Sequence, residues 1–253
     1  MSFFNVITIN LPTPHRSFSF IRLQRFLTMF IAFTLYNQQM TKTLLIFLAF
    51  LLSAHGLEIV QKPISFSEHR KQLTLDYIHE HYGLSPKEIT ITPRIIVIHF
   101  TAIPTLQGSF NAFNSEELPS SRSDISGSNA SANVSVPYLI DKDGSIYQLM
   151  PDNWMGRHVI GLNYSSIGIE NVGRLGTLTD KQLEANIALI AYLQKKHETV
   201  DYLIGHSDYR CFEESPLWLE RDKNYRTEKN DPGELFMNKL HSAIPTLKQA
   251  PCK

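Results

Sequence analysis

Three short segments, far apart in the chain, carry residue types that bind zinc. Two of them are apolar, strand-like runs that close on a histidine: His99 follows IIVI, and His206 follows LIG. The third segment, KNDPG, contains Asp231, with Lys229 two residues before it. Two imidazoles and one carboxylate leave the fourth position of a tetrahedral zinc ion open to water, as in catalytic rather than structural sites. The sequence therefore predicts one zinc ion per chain, bound by these three side chains.

A fourth segment supplies a second carboxylate. Glu170 ends the apolar run SIGI, where it could act as general base and take a proton from a water molecule that attacks a carbonyl. Lys229 could stabilise the oxyanion of the tetrahedral intermediate. Each residue also has an ordinary interpretation, such as a histidine that ends a strand or an aspartate that caps a helix. We favour the metal site because the whole ligand set occurs together.

His158 and Asn163 lie in a loop upstream of Glu170, in the sequence RHVIGLN. Loop histidines are usually neither ligands nor substrate contacts, but the neighbouring arginine and the GLN sequence make a role in the substrate groove equally plausible. We therefore predict both residues as candidates for substrate binding. The remaining histidines fall at upstream, leader or helical surface positions and are not predicted as ligands: His15, His55, His69, His79, His81, His197 and His241.

Composition excludes some functions and leaves the state of the cysteines open. The 253 residues suit one α/β domain with an N-terminal extension, and an apolar content of 43% is enough for a full core. A formal net charge of +0 argues against nucleic acid as a partner, because binding to phosphates requires a basic surface. The two cysteines, Cys211 and Cys252, either pair and tie down the C-terminal tail or remain free thiols.

The N-terminal region has the pattern of a secretory signal peptide. MTKT at 40–43 is a short positive region, nine apolar residues follow at 44–52, and SAHG at 53–56 suits cleavage. The apolar run is too short to span a membrane as a helix. We predict that translation starts at Met40, that residues 1–39 are not part of the mature protein, and that the protein is secreted. We expect a periplasmic location, with an extracellular one as the alternative.

The alternative to a start at Met40 is that residues 1–39 belong to the protein and form a membrane-anchoring N-terminus. A second apolar run at 26–36 follows Arg22 and Arg25, which is the pattern that such an anchor would have. In the mature form we predict no stable membrane span. No cysteine follows the apolar run of the signal peptide, so a lipid anchor is not supported.

Hydrophobic periodicity and capping residues predict the elements of the mature chain. The turn sequence DKDG at 141–144 favours a hairpin, and Thr179 with Gln182 forms a capping box at the start of the clearest helix. The predicted elements are an extended leader at 57–63, a helix at 65–82 ended by Gly83, a buried strand at 94–100, a long polar loop at 105–135 with a short helix near 106–113, hairpin strands at 134–140 and 145–150, a strand at 165–171, a helix at 179–197, a strand at 200–206 and a helix from 231 to about 243.

This order of elements predicts a single α/β domain with a central mixed sheet and helices on both faces. We place its boundaries at 94–245, preceded by a leader and N-terminal helix at 57–93 and followed by a tail at 246–253. Because long loops inside compact domains are commonly functional, the 105–135 loop is a candidate wall of a substrate groove.

Six ordered motifs resemble those of the zinc-dependent N-acetylmuramoyl-L-alanine amidases, a family related to peptidoglycan recognition proteins and phage lysozyme-type amidases. Together they cover about residues 94–236, and no single one would be specific. The motifs are VIHFTA at 97–102, YLIDKDG at 138–144, RHVIGLN at 157–163, SIGIENVG at 166–173, GHSDY at 205–209 and KNDPG at 229–233.

The resemblance implies the fold of that family, with zinc held by His99, His206 and Asp231, Glu170 as general base and Lys229 stabilising the intermediate. It also implies hydrolysis of the amide between N-acetylmuramic acid and L-alanine, in peptidoglycan or in muropeptides. The chain departs from the pattern at Pro137, where many relatives have a histidine before the strand tyrosine. This position is not an inferred ligand, so the departure concerns the shape of the groove rather than the metal.

Three alternatives compete with this prediction. The main one is a non-catalytic module of the same fold that binds peptidoglycan, although such modules typically lack part of the ligand set. A zinc peptidase acting within the stem peptide is a second alternative, but the chain has no HExxH sequence. The third is a protein-interaction domain with incidental histidines. The sequence does not indicate the oligomeric state.

Overall fold

A computed structural model describes residues 57–122, 125 and 131–252 of the chain. The chain divides into two units, residues 1–56 and residues 57–253, and only the second contains described residues. The upstream extension at 1–39 and the signal peptide at 40–56 thus lie outside the described residues and stay predictions. Among the described residues, no helix is both long and apolar enough to cross a membrane.

A six-stranded mixed sheet forms the centre of the fold, in the strand order β1-β4-β3-β5-β2-β6. All neighbouring strands run parallel except the β3–β4 hairpin. The strands are β1 (Ile59–Gln61), β2 (Ile95–Phe100), β3 (Tyr138–Ile140), β4 (Ile146–Gln148), β5 (Ser166–Asn171) and β6 (Tyr202–Gly205). The mixed sheet with flanking helices confirms the predicted fold class.

Four α-helices accompany the sheet in the described part of the chain. They are α1 (Glu68–Tyr77), which continues as a π-helical turn (Ile78–Tyr82), α2 (Leu106–Asn114), α3 (Asp180–Lys196) and α4 (Glu234–Ala243). The predicted capping box at the start of α3 is present, with Thr179 and Gln182 bonded to each other's backbone. Gly83 ends the first helix as predicted, because it adopts a left-handed conformation with φ 68°.

Alternation along the strands divides the core between the two faces of the sheet. Ile96 and Ile98 of β2 face α3 and α4, where they pack with Leu189 and Leu240. Ile95 and Val97 of β2 face the opposite side and pack in a separate cluster. Helix α2 covers part of that second side by packing Phe113 against Leu139 and Val136. The side chains of odd-numbered β2 residues therefore point away from α3 and α4.

Several predicted boundaries were wrong, and the first hairpin strand, predicted at 134–140, spans only Tyr138–Ile140. The segment at 57–63 is not only a leader, since β1 pairs in parallel with β4 and places Ile59 opposite Ile146. Three residues are too few to show a strand periodicity in the sequence. The final helix begins at Glu234 with Gly233 as its N-cap, rather than at Asp231. Asp231 instead directs its carboxylate towards two histidines, as described below.

The C-terminal tail is fixed to the domain. Cys211 and Cys252 form a disulfide with a Cα–Cα distance of 5.4 Å, which answers the question that the sequence left open. The tail also forms a short bridge to β6, because Lys248 accepts from the backbone N–H of Leu203 at 3.0 Å and donates its own to Asp201 at 2.9 Å. The disulfide lies on the 3₁₀ helix (His206–Phe212) that follows β6.

Candidate active site

The carboxyl ends of three parallel strands meet at one edge of the sheet and bring distant residues together. In the β2–β5 register His99 lies opposite Glu170, and in the β2–β6 register Ile98 lies opposite Gly205. His206, the residue after β6, therefore arrives beside His99. Ser166, Gly168 and Glu170 alternate along β5 and share the face of His99, because side chains two apart point the same way.

Two imidazoles and one carboxylate converge at this edge. His99 Nδ1 lies 3.0 Å from His206 Nδ1 and 3.1 Å from Asp231 Oδ2. His206 Nδ1 and Asp231 Oδ2 are also 3.0 Å apart. The three side chains are buried, with exposures of 1%, 8% and 6%. Among the described residues they are the one group of three with its ligand atoms close enough to hold a metal ion.

The segment that carries Asp231 packs closely against the end of β6. The backbone N–H of Ser207 donates to Asp231 O at 3.1 Å. A Cβ atom on Gly205 would lie 3.0 Å from Pro232, so the glycine leaves room for this approach. Gly233 follows with φ 100°, a conformation that side chains rarely adopt, and turns the chain into α4. These two glycines allow Asp231 to reach the histidines.

The charges of the three residues favour metal binding. Burial lowers the pKa of His206 to about 4, and the neighbouring His99 acts in the same direction. Burial opposes ionisation of Asp231, yet the neighbouring rings of His206 and His99 outweigh it and hold the pKa of its carboxyl well below the usual range. A neutral imidazole and an ionised carboxylate are the forms of these groups that bind zinc.

Glu170 holds a half-buried carboxyl group beside the three. Its Oε2 atom is buried without a hydrogen-bond partner among the described residues. Burial raises the pKa of Glu170 to about 7, and the charge of Asp231 adds to the rise, while the charges of His99, Lys229 and Arg122 oppose it. A carboxyl group with a pKa near neutrality can both accept and return a proton at physiological pH.

His158 lies directly against the ligand group. Its Nδ1 atom is 3.1 Å from His99 Nε2, and its Nε2 atom is 3.3 Å from Ser166 Oγ. Burial lowers the pKa of His158 well below its usual value, and His99 and His206 lower it further. His158 is therefore neutral at physiological pH and contacts a predicted ligand.

Asn163 is buried and supports the loop that carries His158. Its Oδ1 atom accepts from the backbone N–H groups of His158 and Val159, at 2.8 and 2.7 Å. Its Nδ2 atom donates to Tyr82 Oη at 3.0 Å. The side chain thus holds the loop in place, and its predicted contact with substrate stays a prediction.

Two supporting residues, Ser166 and Asn171, escaped the sequence analysis. Ser166 contacts His158 as described above. Asn171 Nδ2 donates to the backbone carbonyl of His99 at 3.0 Å, and Asn186 of α3 donates to Asn171 Oδ1 at 2.7 Å. The available signal was a polar residue at each end of the apolar strand SIGIEN, since a buried polar side chain requires a partner.

A cavity of about 380 Å³ opens onto these residues. Glu170, His158 and Lys229 line it together with the three candidate ligands. Its other walls combine apolar side chains, among them Phe113 and Val134, with the cation of Arg122. A volume of this size suits a small ligand or one segment of a larger one.

Arg157 holds one wall of the cavity in place from behind. Its guanidinium donates to the carbonyl oxygens of Ala132, at 2.5 Å, and Ile125, at 2.8 Å. It also donates to Tyr225 Oη at 2.9 Å and lies over the ring of Tyr77. One buried cation therefore joins the 105–135 loop to two other parts of the domain.

Comparison with protein families gives one match. Residues 89–234 match the family model described as N-acetylmuramoyl-L-alanine amidase. This range includes β2 to β6 and every candidate site residue, from His99 to Asp231. No curated protein matched the chain in a separate search.

Several solved structures resemble the chain at low identity. The amidase LysC from Clostridium intestinale is 20% identical, with a TM-score of 0.44, and the match covers 76% of this chain and 99% of LysC. Human PGRP-IBETAC, solved with a glycosamyl muramyl pentapeptide, is 21% identical, with a TM-score of 0.44, and the match covers 63% of this chain and 88% of that protein. Bumblebee PGRP-SA is 23% identical, with a TM-score of 0.43, and the match covers 77% of this chain and 98% of that protein.

Proposed function

Since the chain belongs to the N-acetylmuramoyl-L-alanine amidase family, we propose that it is a zinc-dependent hydrolase acting on peptidoglycan or muropeptides. The bond cleaved would be the amide between the lactyl group of N-acetylmuramic acid and L-alanine. The observation that carries this proposal is the convergence of His99, His206 and Asp231 beside the half-buried carboxyl of Glu170.

The three side chains fit one zinc ion. Tetrahedral zinc with bonds of about 2.0–2.1 Å places its ligand atoms roughly 3.3 Å apart. The three distances here, 3.0, 3.1 and 3.0 Å, are close to that value. Three electron-pair donors face one point in a buried site and repel one another. A cation bound at that point would remove this repulsion. A bound zinc ion would polarise the amide carbonyl and acidify a water molecule.

Glu170 is the general base of this proposal. Its carboxyl group lies opposite His99 in the register, lines the cavity and has one oxygen without a partner among the described residues. It would take the proton from the attacking water and pass it to the amide nitrogen as the carbon–nitrogen bond breaks. The products are a free lactyl carboxylate and a peptide with an N-terminal alanine.

Lys229 is the proposed stabiliser of the tetrahedral intermediate. It lies two residues before Asp231 in the sequence, and its side chain lines the cavity. Its positive charge lowers the pKa values of both Glu170 and His206. An ammonium group at this position would attract the negative charge that develops on the amide oxygen, mainly in the transition state.

The bond that breaks can be identified by isotope labelling. The purified chain is incubated with N-acetylmuramoyl-tripeptide in water enriched in ¹⁸O, and the products are weighed by mass spectrometry. We expect one ¹⁸O atom in the lactyl carboxylate of the sugar product and none in the released tripeptide. A shorter released peptide, with the label on a sugar product that retains L-alanine, would instead indicate cleavage within the stem. Tight binding of intact substrate by zinc-loaded protein would indicate the non-catalytic binding module.

We also propose secretion, with residues 40–56 as the signal peptide, Met40 as the start and the periplasm as the location. The disulfide between Cys211 and Cys252 supports this, because such bonds persist mainly in oxidising compartments. Mass spectrometry of the protein isolated from its natural host tests the proposal. A peptide from residues 1–39 in the mature protein would contradict it.

A further inference from the structure

A chain of hydrogen bonds leads from the metal-facing histidine back into the protein. His99 presents Nδ1 to the other two candidate ligands, and its opposite nitrogen, Nε2, lies 3.1 Å from His158 Nδ1. His158 Nε2 in turn lies 3.3 Å from Ser166 Oγ. Ser166 Oγ donates to the backbone carbonyl of Leu162 at 2.8 Å. Three side chains thus connect the candidate metal site to one backbone oxygen.

The last group fixes the direction of this chain. A backbone carbonyl can only accept a hydrogen bond, so the single hydroxyl proton of Ser166 is used on Leu162. Ser166 Oγ must then accept from His158 Nε2, and because an uncharged imidazole carries a single proton, that proton lies on Nε2. His158 Nδ1 is left with a lone pair, and it can only accept from His99. The proton of His99 therefore lies on Nε2.

We propose that His158 is a positioning residue that, together with Ser166, fixes His99 in the tautomer that binds metal. With its proton held on Nε2, His99 presents a lone pair on Nδ1 towards His206 and Asp231. This inference rests on the zinc site proposed above. Hydrogen bonds to the far nitrogen of a ligand histidine orient its ring and strengthen its bond to the metal.

Packing holds His158 in the required place. A Cβ atom on Gly168 would lie 2.8 Å from His158 Nδ1, so the glycine of β5 provides the space for this ring. The rings of His158 and His99 meet edge to face, with an interplanar angle of 89°. Asn163 fixes the backbone on either side, as described above. Because both ring nitrogens of His158 are engaged within the protein, positioning is better supported than its predicted contact with substrate.

The tautomers can be observed directly in the unaltered protein. Two-bond ¹⁵N–¹H correlation spectra of the full chain, without metal and near neutral pH, distinguish a proton on Nδ1 from one on Nε2. We expect the Nε2–H form for both His99 and His158, and loss of the fixed His158 tautomer in Ser166→Ala. An Nδ1–H form of His99 in the wild-type protein would overturn the proposal.

Zinc affinity gives a second, independent readout. Competition with a chromophoric chelator should show zinc binding weakened about 10- to 100-fold in His158→Phe. His158→Asn should bind more tightly than His158→Phe, because an asparagine oxygen occupies nearly the position of imidazole Nδ1 and can accept from His99. The matched control is His79→Phe, since His79 is exposed and should leave zinc affinity unchanged.

The controls separate this inference from the proposed function. Wild-type protein that binds no zinc would contradict the zinc site and the positioning role together. Normal zinc binding in both the wild-type protein and His158→Phe would contradict only the positioning role. Circular dichroism of each metal-free variant checks that the fold is retained, and a folded His158→Asn with weaker affinity than His158→Phe would also count against the proposal.

Discussion

At the residue scale, Glu170 combines a cost to the fold with the catalytic use that we propose for it. The residue is half-buried, its Oε2 atom is buried without a partner among the described residues, and burial raises its pKa to about 7. Burying a group of this kind opposes folding, because a buried charge loses its hydration. The same environment gives it the proton affinity that a general base needs near neutral pH.

Replacement of Glu170 should separate metal binding from turnover. We expect Glu170→Gln to bind zinc with wild-type affinity, because the side chain is not one of the three ligands. The same variant should lower kcat by about 10²- to 10⁴-fold, the usual contribution of a general base. Zinc titration and steady-state kinetics on N-acetylmuramoyl-tripeptide measure the two effects. A kcat near the wild-type value would rule out the general-base role.

The half-buried carboxyl should also appear in the stability of metal-free protein. The pKa of Glu170 is about 7 in the folded state against 4.5 for the ordinary group. The folded state therefore binds this proton more tightly, and the contribution of Glu170 to the free energy of unfolding should fall as pH rises from 4.5 to about 7.

Glu170→Gln removes this titration, so it should be more stable than wild type above pH 7, by up to about 3 kcal/mol, and similar to it below pH 4.5. Urea denaturation in the presence of a chelator, at pH 4 and pH 8, measures the difference. The same stability change with pH in both proteins would show that Glu170 is not responsible.

At the scale of elements, the sequence was sufficient for those parts of the site that depend on local pattern. Apolar runs ending in His99 and Glu170 predict two strands of a mixed sheet, and the structure pairs these two residues in parallel strands. The capping box of Thr179 and Gln182 predicted the start of α3 correctly. Such patterns are set by neighbours a few residues apart, which is why the sequence alone reveals them.

The elements that escaped prediction depend on contacts between distant residues. The three residues of β1 become a strand only because β4 lies beside them. Helix α4 begins only at Glu234, because the preceding Asp231 turns towards His99 and His206. The contact between His158 and His99 joins residues 59 apart in the sequence, and no short motif contains both.

Arg157 shows how one residue can position a whole segment. Its guanidinium holds two backbone carbonyls of the 105–135 loop and the hydroxyl of Tyr225. Arg157→Lys keeps the charge but cannot reach all three acceptors, because the compact ammonium lacks the spread of the planar guanidinium. We expect a loss of about 1–3 kcal/mol in stability, and a higher KM with little change in zinc affinity.

Urea denaturation, steady-state kinetics and zinc titration measure these three effects. Arg174→Lys is the matched control, since Arg174 is exposed and should tolerate the same replacement without loss. Wild-type stability and KM in Arg157→Lys would show that the loop is held by other contacts.

At the scale of the whole molecule, the N-terminal and C-terminal segments of the domain are each joined to the rest of it by specific bonds. On the N-terminal side, buried Arg70 of α1 donates to the carbonyl oxygens of Ser65, Phe113 and Val134, and so joins α1 to the cavity wall. On the C-terminal side, the disulfide joins the tail to the 3₁₀ helix that begins with His206. Both links support segments that line the site.

Loss of the disulfide should destabilise the protein without removing the fold of the sheet. The bond closes a loop with a sequence separation of 41, and a loop of this length contributes about 4 kcal/mol in the chain-entropy model. We expect the double variant Cys211→Ser, Cys252→Ser to unfold at a lower urea concentration, with a free energy of unfolding lower by about 4 kcal/mol. Equal stability of the variant and the oxidised wild type would show that the tail does not depend on the bond.

The dependence of amide cleavage on zinc is the most direct test of the proposed function. The purified chain is stripped of metal with a chelator, returned to zinc, and assayed for release of tripeptide from N-acetylmuramoyl-tripeptide at each step. We predict that release stops on chelation, returns at one equivalent of zinc, and cannot be restored in His206→Ala. Undiminished release from the metal-free protein would contradict the assignment of His99, His206 and Asp231 to a catalytic zinc site.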